Sequence, residues 1–269
     1  MPDELRPPTA GDDTVLYAQD GRVAVLTLNR PHRANAFDAA LRRRLRELTD
    51  RVAGDETVGA VVLTGAGRHF SGGADLRETP EQRAAERGRP IGLDQLPKPV
   101  IAAINGAALG GGCEIALTCD FRFVAEGATL GLPEIRFGAL PQGGGTARLP
   151  RLVGPGPARR MIMTGDPVSA DEALRIGLAD QVLPPGELLP AAVAFAAHLA
   201  ERPGYALGTA KALLNASLET DLRTALAAER RLAAEMAGPR EHAAARARAA
   251  RTADVYARAF RTGAPSPED

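Results

Sequence analysis

The chain has 269 residues, with 33 Lys and Arg against 33 Asp and Glu, so its formal net charge is zero. That length suits one large domain, or one domain with a helical appendage. Zero net charge argues against a protein that binds nucleic acid over its whole surface, because phosphate backbones select strongly basic surfaces. Among the basic residues only Lys98 and Lys211 are lysines, a bias that a GC-rich genome explains.

The N-terminal residues 1–13 are acidic and proline-rich and hold no apolar stretch, so we predict a frayed segment rather than a signal or transit peptide. No window of the sequence approaches the roughly 20 apolar residues of a membrane span. Cys113 and Cys119 lie six residues apart, a spacing that on one helix excludes a disulfide. We therefore predict a reduced, cytoplasmic protein that does not bind membranes.

Four short apolar runs predict strands, at residues 23–28, 60–63, 100–104 and 121–124. Between the first two, Asn35 is predicted as the N-cap of a helix whose apolar positions run from Leu41 to Val52. The arginines of that helix are predicted to lie mostly on its solvated face; they are Arg42, Arg43, Arg44 and Arg46.

Glycine-rich segments separate the later elements. Residues 64–75 and 105–112 are predicted as turn-rich loops, and residues 113–119 as an apolar helix. From about Pro190 onward the pattern is nearly all helical. Strands that alternate with helices, followed by a helical segment, predict an α/β domain with an α-helical C-terminal part.

Two carboxylates stand in apolar surroundings. Glu114 follows three glycines within a largely apolar stretch, and Glu134 lies in the sequence Gly-Leu-Pro-Glu. A buried carboxylate costs several kcal/mol unless it is paired or protonated. Two carboxyls in different environments suit general acid–base catalysis. The alternative is ordinary: a first-turn glutamate that the helix dipole favours, and a solvated loop carboxylate.

The glycines could place backbone N–H groups close to a ligand. Gly110, Gly111 and Gly112 precede a predicted helix, and residues 71–75 form a second small-residue turn. Two such N–H groups suit a developing oxyanion, although both segments could be plain tight turns. Neither G-x-G-x-x-G nor a P-loop pattern occurs, which disfavours a nucleotide-dependent oxidoreductase. The four histidines have no metal-ligand spacing, and no G-x-S-x-G is present.

These residues resemble the enoyl-CoA hydratase/isomerase (crotonase) superfamily. Three segments carry the resemblance: residues 69–76 (HFSGGADL), 98–120 (KPVIAAINGAALGGGCEIALTCD) and 131–154 (GLPEIRFGALPQGGGTARLPRLVG). Residues 29–37 and 178–182 add weaker matches, and the resemblance covers roughly residues 15–235. It implies an α/β fold in which residues 14–195 form a spiral of repeated ββα units with the active site. Residues 196–269 would form a helical oligomerisation region that builds a trimer or a dimer of trimers.

The resemblance also implies roles for individual residues. Glu114 and Glu134 match the catalytic pair, and the N–H groups of Ala74 and Gly111 match the oxyanion hole that holds a thioester carbonyl. The substrate would be an acyl-CoA, with no metal and no cofactor beyond the CoA that the substrate carries. The implied substrate and CoA contacts are Arg33, Ala34, Arg68, Ala74, Asp75, Leu76, Arg77 and Gly111.

Some positions depart from the family pattern. Gln142 stands where hydratases often have glycine, and residues 238–261 hold six arginines in place of the usual C-terminal ending. We predict an enoyl-CoA hydratase that adds water reversibly to a trans-2-enoyl-CoA to give a 3-hydroxyacyl-CoA. The alternatives are an enoyl-CoA isomerase, a pathway-specific dehydratase, or a non-catalytic RNA-binding member that the basic C-terminal segment would support.

Overall fold

The computed structural model describes residues 13–79, 81–82 and 88–235. The described residues up to Asn215 form one compact unit, and those from Ala216 belong to a second unit. The predicted frayed segment 1–13 lies outside the described residues except for Asp13, and so does the basic segment 238–261. The predicted domain boundary after residue 195 stays a prediction.

The centre of the first unit is a six-stranded sheet in the order β1-β2-β3-β5-β7-β10. Its strands are β1 (Val15–Asp20), β2 (Val23–Leu28), β3 (Ala60–Gly65), β5 (Val100–Ile104), β7 (Phe121–Ala125) and β10 (Gln181–Leu183). β1 and β2 are antiparallel and every other neighbouring pair is parallel. All five residues of β5 are buried, as expected for a central parallel strand with both faces covered.

A second, four-stranded sheet has the order β4-β6-β8-β9. Its strands are β4 (His69–Ser71), β6 (Ala107–Leu109), β8 (Thr129–Gly131) and β9 (Val168–Ser169). β4, β6 and β8 run parallel, and β9 closes the edge antiparallel to β8. The prediction that residues 64–75 and 105–112 form loops is wrong for β4 and β6. Strands of three residues are too short to show an alternating pattern.

Helices surround the two sheets. They are α1 (Ala39–Gly54), α2 (Gly111–Ala116), α3 (Gly145–Val153), α4 (Pro155–Thr164), α5 (Ala170–Arg175), α6 (Pro185–Ala200) and α7 (Gly204–Ser217). α6 packs on the large sheet, where Phe195 meets Phe121 edge-to-face at 4.9 Å between ring centroids. Parallel strands with covering helices confirm the predicted α/β class.

The start of α1 differs from the prediction. Asp38, not Asn35, is the N-cap, and its side chain accepts a hydrogen bond from the Leu41 N–H. Asn35 is fully buried in the left-handed region at φ 53°, and its side chain serves tertiary structure instead. The apolar helix predicted at residues 113–119 begins two residues earlier and ends at Ala116.

The arginine-rich face of α1 is only partly solvated. Arg42 binds the Glu78 carboxylate at 2.9 Å and the Phe37 carbonyl, so the predicted solvated role is wrong for it. Arg43 is exposed, as predicted, and Arg44 pairs with Asp13.

The two lysines both bind main-chain carbonyls. Lys98 donates to the carbonyls of Val52 and Asp55, at the end of α1. Lys211, buried on α7, donates to the carbonyls of Leu93 and Lys98 and to the Asp120 carboxylate at 2.8 Å. A compact ammonium with three donors suits such carbonyl clusters better than a planar guanidinium.

Both cysteines are free and buried, and burial raises the pKa of each thiol to about 12. None of the described helices is long and apolar enough to cross a membrane. Of the second unit, the structure describes the helix α8 (Leu222–Glu235), whose first turn is capped by the Asp221 side chain.

Candidate functional site

Three neighbouring parallel strands of the small sheet deliver the candidate residues to one edge. β4 leads into the turn that holds Ala74, β6 leads through Gly110 into α2 with Glu114, and β8 leads through Pro133 to Glu134. The carboxyl ends of adjacent parallel strands are where α/β proteins place ligands. Segments that lie 60 residues apart in sequence therefore meet at one site.

Two backbone N–H groups face this site. A bridge with Phe37 uses the Gly73 carbonyl and the Asp75 N–H, which turns the Ala74 N–H the other way. The described residues provide no backbone acceptor for it. The Gly111 N–H opens α2 and so has no acceptor within the helix. A Cβ placed on Gly111 would lie 3.7 Å from the Ala74 nitrogen, so the two donors are close neighbours.

The chain comes this close only because of two glycines. A Cβ on Gly73, whose φ is +94°, would lie 2.7 Å from the Leu109 carbonyl and 3.1 Å from the Gly111 nitrogen. A Cβ on Gly112 would lie 2.3 Å from the Ser71 carbonyl. Both contacts are closer than packed atoms tolerate, so the glycines let the Ala74 turn and the start of α2 touch.

Residues 30–37 hold the Ala74 turn from behind. The Asn35 side chain accepts from the Arg30 N–H and donates to the carbonyls of Ala66 and His69 at 2.9 and 2.7 Å. Ala34 and Asn35 are the described non-glycine residues with positive φ. Left-handed backbone is costly for such residues, and it persists only where the surroundings enforce it. The strain therefore marks a loop that tertiary contacts fix in place.

An ion-pair cluster fixes the residue after Ala74. The Arg30 guanidinium, with 13% of its side chain exposed, binds the carboxylates of Asp75 at 3.0 Å and Asp38 at 2.9 Å. Burial acts to raise the pKa of Asp75, but the Arg77 N–H and the Arg30 guanidinium hold it below its usual range. Arg30 was not among the predicted site residues, because its partner lies 45 positions away.

Glu114 is buried on α2, and two backbone N–H groups fix the orientation of its carboxylate. Its Oε1 accepts hydrogen bonds from the N–H groups of Gly143 at 2.7 Å and Gly145 at 2.9 Å. Gly145 is the first residue of α3, so a helix N-terminus points at this carboxylate. Two charge-assisted hydrogen bonds of this kind suit an anion and leave the second oxygen available for chemistry.

Glu134 has a contrasting environment at the start of the short 3₁₀ helix Pro133–Phe137. Its Oε2 is buried without a hydrogen-bond partner among the residues that the structure describes. Burial raises the pKa of this carboxyl most, and the charge of Glu114 raises it further, while the hydrogen bond from Glu134's own backbone N–H lowers it; the net pKa lies above its usual value. A Cβ on Gly110 would lie 3.1 Å from Glu134 Oε1. Glu134 therefore lies against the turn that begins α2.

A polar cavity of about 410 Å³ opens beside the Ala74 turn. Four arginines line it, together with three carboxylates and the residues Ala39, Ala40 and Gln82; the charged residues are Arg30, Arg33, Arg43, Arg77, Asp38, Asp75 and Glu78. The prediction that Arg43 lies on a solvated face does not reveal its position in this cavity, since helical periodicity does not show which loop lies beside a helix.

The predicted substrate contacts divide into two groups. Arg33, Asp75 and Arg77 line the cavity, whereas the predicted oxyanion donors Ala74 and Gly111 are not among its lining residues. The Ala34 carbonyl accepts from the Gly72 N–H and supports the turn. Arg68 is exposed and is not among the cavity's lining residues, and Leu76 is 74% exposed. Their roles stay predictions.

The described residues contain no group of three or more His, Cys, Asp or Glu side chains placed to hold a metal ion. The site combines two neighbouring N–H donors with one hydrogen-bonded carboxylate, Glu114, and one carboxyl of raised pKa, Glu134. Such a site can polarise a carbonyl and move a proton at a neighbouring carbon.

Comparisons with known proteins agree with this class of site. A family model described as "Enoyl-CoA hydratase/isomerase" matches residues 18–247. The short-chain-enoyl-CoA hydratase of Clostridium acetobutylicum is 42% identical over 81% of this chain and 87% of its own length. The crotonyl-CoA hydratase of Syntrophomonas wolfei is 38% identical over the same shares of both chains. The chain belongs to the enoyl-CoA hydratase/isomerase family.

The fold has the same relatives. A crystal structure of an enoyl-CoA hydratase from Bacillus anthracis superposes with a TM-score of 0.78 at 38% identity, covering 81% of this chain and 88% of the other. The predicted crotonase-like fold is thereby confirmed, and the protein is an enzyme of this family.

Proposed function

We propose that the protein is an enoyl-CoA hydratase that adds water reversibly to a trans-2-enoyl-CoA. The observation that carries the proposal is the unequal environment of the two carboxyls beside one pair of N–H donors. Glu114 accepts two N–H bonds, whereas Glu134 is buried on one oxygen without a partner and has a raised pKa. Hydration needs one carboxylate that takes a proton and one carboxyl that gives one.

In the proposed reaction Glu114 takes a proton from a water molecule as the water oxygen bonds to the β-carbon. The electron pair of the double bond moves towards the thioester, and its oxygen gains enolate charge between the N–H groups of Ala74 and Gly111. Each such donor can lower the barrier by about 3 kcal/mol. Glu134 then gives its proton to the α-carbon, the carbonyl re-forms, and solvent resets both carboxyls.

The arginine-lined cavity supports binding of the substrate through its CoA group. Arg33, Arg43 and Arg77 line it, and none of them forms a salt bridge with a described carboxylate. Guanidinium groups match phosphate geometry well. We propose that the cavity holds phosphates of CoA and that the reaction needs no metal or other cofactor. Substitution of Arg43 by Ala should raise the KM for an enoyl-CoA and leave the KM for the matching enoyl-pantetheine unchanged.

The test of the activity is incubation with crotonyl-CoA in H₂¹⁸O. Loss of the conjugated thioester absorbance, with ¹⁸O at the β-carbon of the product, is the expected result. The family also contains isomerases by its description, and a 3-enoyl-CoA that moves its double bond without ¹⁸O uptake would favour that reaction instead. A panel of acyl chain lengths then distinguishes a general hydratase from a dehydratase of narrow specificity.

We also propose that the chain assembles as a trimer or a dimer of trimers, which light scattering after gel filtration measures directly. RNA binding at physiological salt, without turnover of any enoyl-CoA, would instead favour a non-catalytic role.

A further inference from the structure

Arg148 lies on the first turn of α3, and its side chain folds back over the beginning of that helix. Its Nη1 donates to the Gly143 carbonyl at 3.0 Å, and its Nη2 donates to the Asp94 carboxylate at 2.6 Å. Gly143 is also the residue whose N–H binds Glu114. The Arg148 guanidinium therefore binds the main-chain carbonyl of Gly143, the residue whose N–H binds the Glu114 carboxylate.

The intervening glycine permits this arrangement. Gly144 is the N-cap of α3 with φ +103°, a conformation that side chains rarely adopt. A Cβ at Gly144 would lie 2.0 Å from Arg148 Nη1, so the guanidinium occupies the space that a side chain would need. Gly144 thus leaves space for the Arg148 guanidinium, whereas Gly143 and Gly145 donate their N–H groups to Glu114.

Asp94 is itself anchored. Its main-chain carbonyl accepts from the Asn215 side chain at 2.8 Å, and the carbonyl of the preceding Leu93 accepts from the buried Lys211 at 2.9 Å. Both donors lie on α7. The ion pair is therefore tied at both ends, unlike most partly exposed pairs, which contribute little. The Asp94 side chain is 27% exposed and that of Arg148 37%.

We propose that Arg148 is a positioning residue for Glu114. Paired with Asp94, it holds the Gly143 carbonyl and so fixes the two N–H groups that aim the carboxylate. This inference rests on the proposed function only in taking Glu114 as the group that activates water. Within the part of the chain that the structure describes, no hydrogen bond or ion pair joins Arg148 to the Ala74 turn or to Glu134.

Loss of Arg148 should therefore affect water addition selectively. Exchange of the α-proton of butyryl-CoA with D₂O needs the oxyanion donors and Glu134 but no attacking water. Misplacement of a reacting group by about 1 Å can cost 100-fold in rate. We expect Arg148→Met to lower kcat for crotonyl-CoA hydration by about 10- to 100-fold, with KM and the α-proton exchange rate each within about twofold of wild type.

The matched control is Arg151→Met. Arg151 lies on the same helix, and its guanidinium donates to the Ala147 carbonyl of α3. We expect this variant to keep wild-type kcat. Asp94→Asn should reproduce part of the loss, and the double variant should be no slower than Arg148→Met, since both residues act through one contact.

A second readout does not depend on turnover. Hydrogen exchange of a peptide covering residues 141–146, followed by mass spectrometry, reports the N–H groups that bind Glu114. Faster exchange there in Arg148→Met, but not in Arg151→Met, is the expected result; unchanged exchange would overturn the proposal, as would equal loss of hydration and α-proton exchange. Wild-type protein that never hydrates an enoyl-CoA would refute the proposed function alone, and the peptide exchange would still decide the role of Arg148.

Discussion

Replacing Glu114 by Gln tests the division of labour between the two carboxyls. The amide oxygen of Gln can keep both hydrogen bonds from Gly143 and Gly145, while its nitrogen takes the place of Oε2. The shape and hydrogen bonding of the site are thus preserved, and the capacity to take a proton from water is removed.

The two expected effects differ in size. A hydrogen bond to a charged acceptor contributes about 1.5–3 kcal/mol and a neutral one about 0.5–1.5, so the two bonds together lose roughly 2 kcal/mol. Burying a neutral amide in place of a carboxylate offsets part of this loss. Removing a general base costs about 10²- to 10⁴-fold in rate, equal to roughly 2.7–5.5 kcal/mol in the barrier.

The assay is the initial rate of crotonyl-CoA hydration, followed by loss of the conjugated thioester absorbance, beside thermal unfolding. We expect Glu114→Gln to lose at least about 100-fold in kcat while its Tm moves by only a few degrees. Glu126→Gln, at an exposed turn, is the matched control and should retain full activity. A Glu114→Gln enzyme within threefold of wild type would refute the assignment of the base.

Three further predictions concern the same site and its support. Because burial and Glu114 raise the pKa of Glu134, hydration should slow as pH rises through that raised pKa. The free energy of unfolding should fall over the same pH range in the wild type but not in Glu134→Gln. An equal fall in Glu134→Gln would contradict Glu134 as the cause. Asn35→Ala should cost about 2–4 kcal/mol in urea unfolding, because the partly buried Ala66 and His69 carbonyls and the Arg30 N–H lose the Asn35 side chain as a partner. Gly112→Ala should destabilise by about 1–3 kcal/mol through its clash with Ser71, whereas Gly156→Ala, in open space, should not.

The four inner strands of the large sheet could be predicted from the sequence because they are mostly apolar runs of five or six residues. The edge strands β1 and β10 are missing from the prediction because they are partly exposed and less apolar. Ala60–Gly65 and Val100–Ile104 are buried throughout, as expected of central strands. The small sheet could not be predicted, although it carries the site. Its strands have two or three residues, and their pairing depends on contacts between residues up to 40 positions apart, such as Thr129 and Ser169.

The candidate catalytic residues could be named from motifs, but their supports could not. Asn35 and Asp38 are equally good N-caps by residue type. Only the tertiary fold shows that Asp38 caps the helix while Asn35 binds Ala66 and His69. Likewise Arg148 is one arginine among many in this sequence. Its contact with Gly143 could not be predicted, because it depends on the side chain folding back over the first residues of α3.

The carbonyl-bound lysines have a chemical consequence. Thioesters acylate free amines by aminolysis, and lysine is the side chain that such acylation modifies, whereas arginine stays protonated. Lys211 is buried and donates to two carbonyls and the Asp120 carboxylate, and Lys98 donates to two carbonyls. With the proposed acyl-CoA as substrate, a chain with only these two lysines offers few side-chain targets for self-acylation. Burial lowers the pKa of Lys98, so Lys98 is the position where mass spectrometry should find an acyl group first after long exposure to substrate.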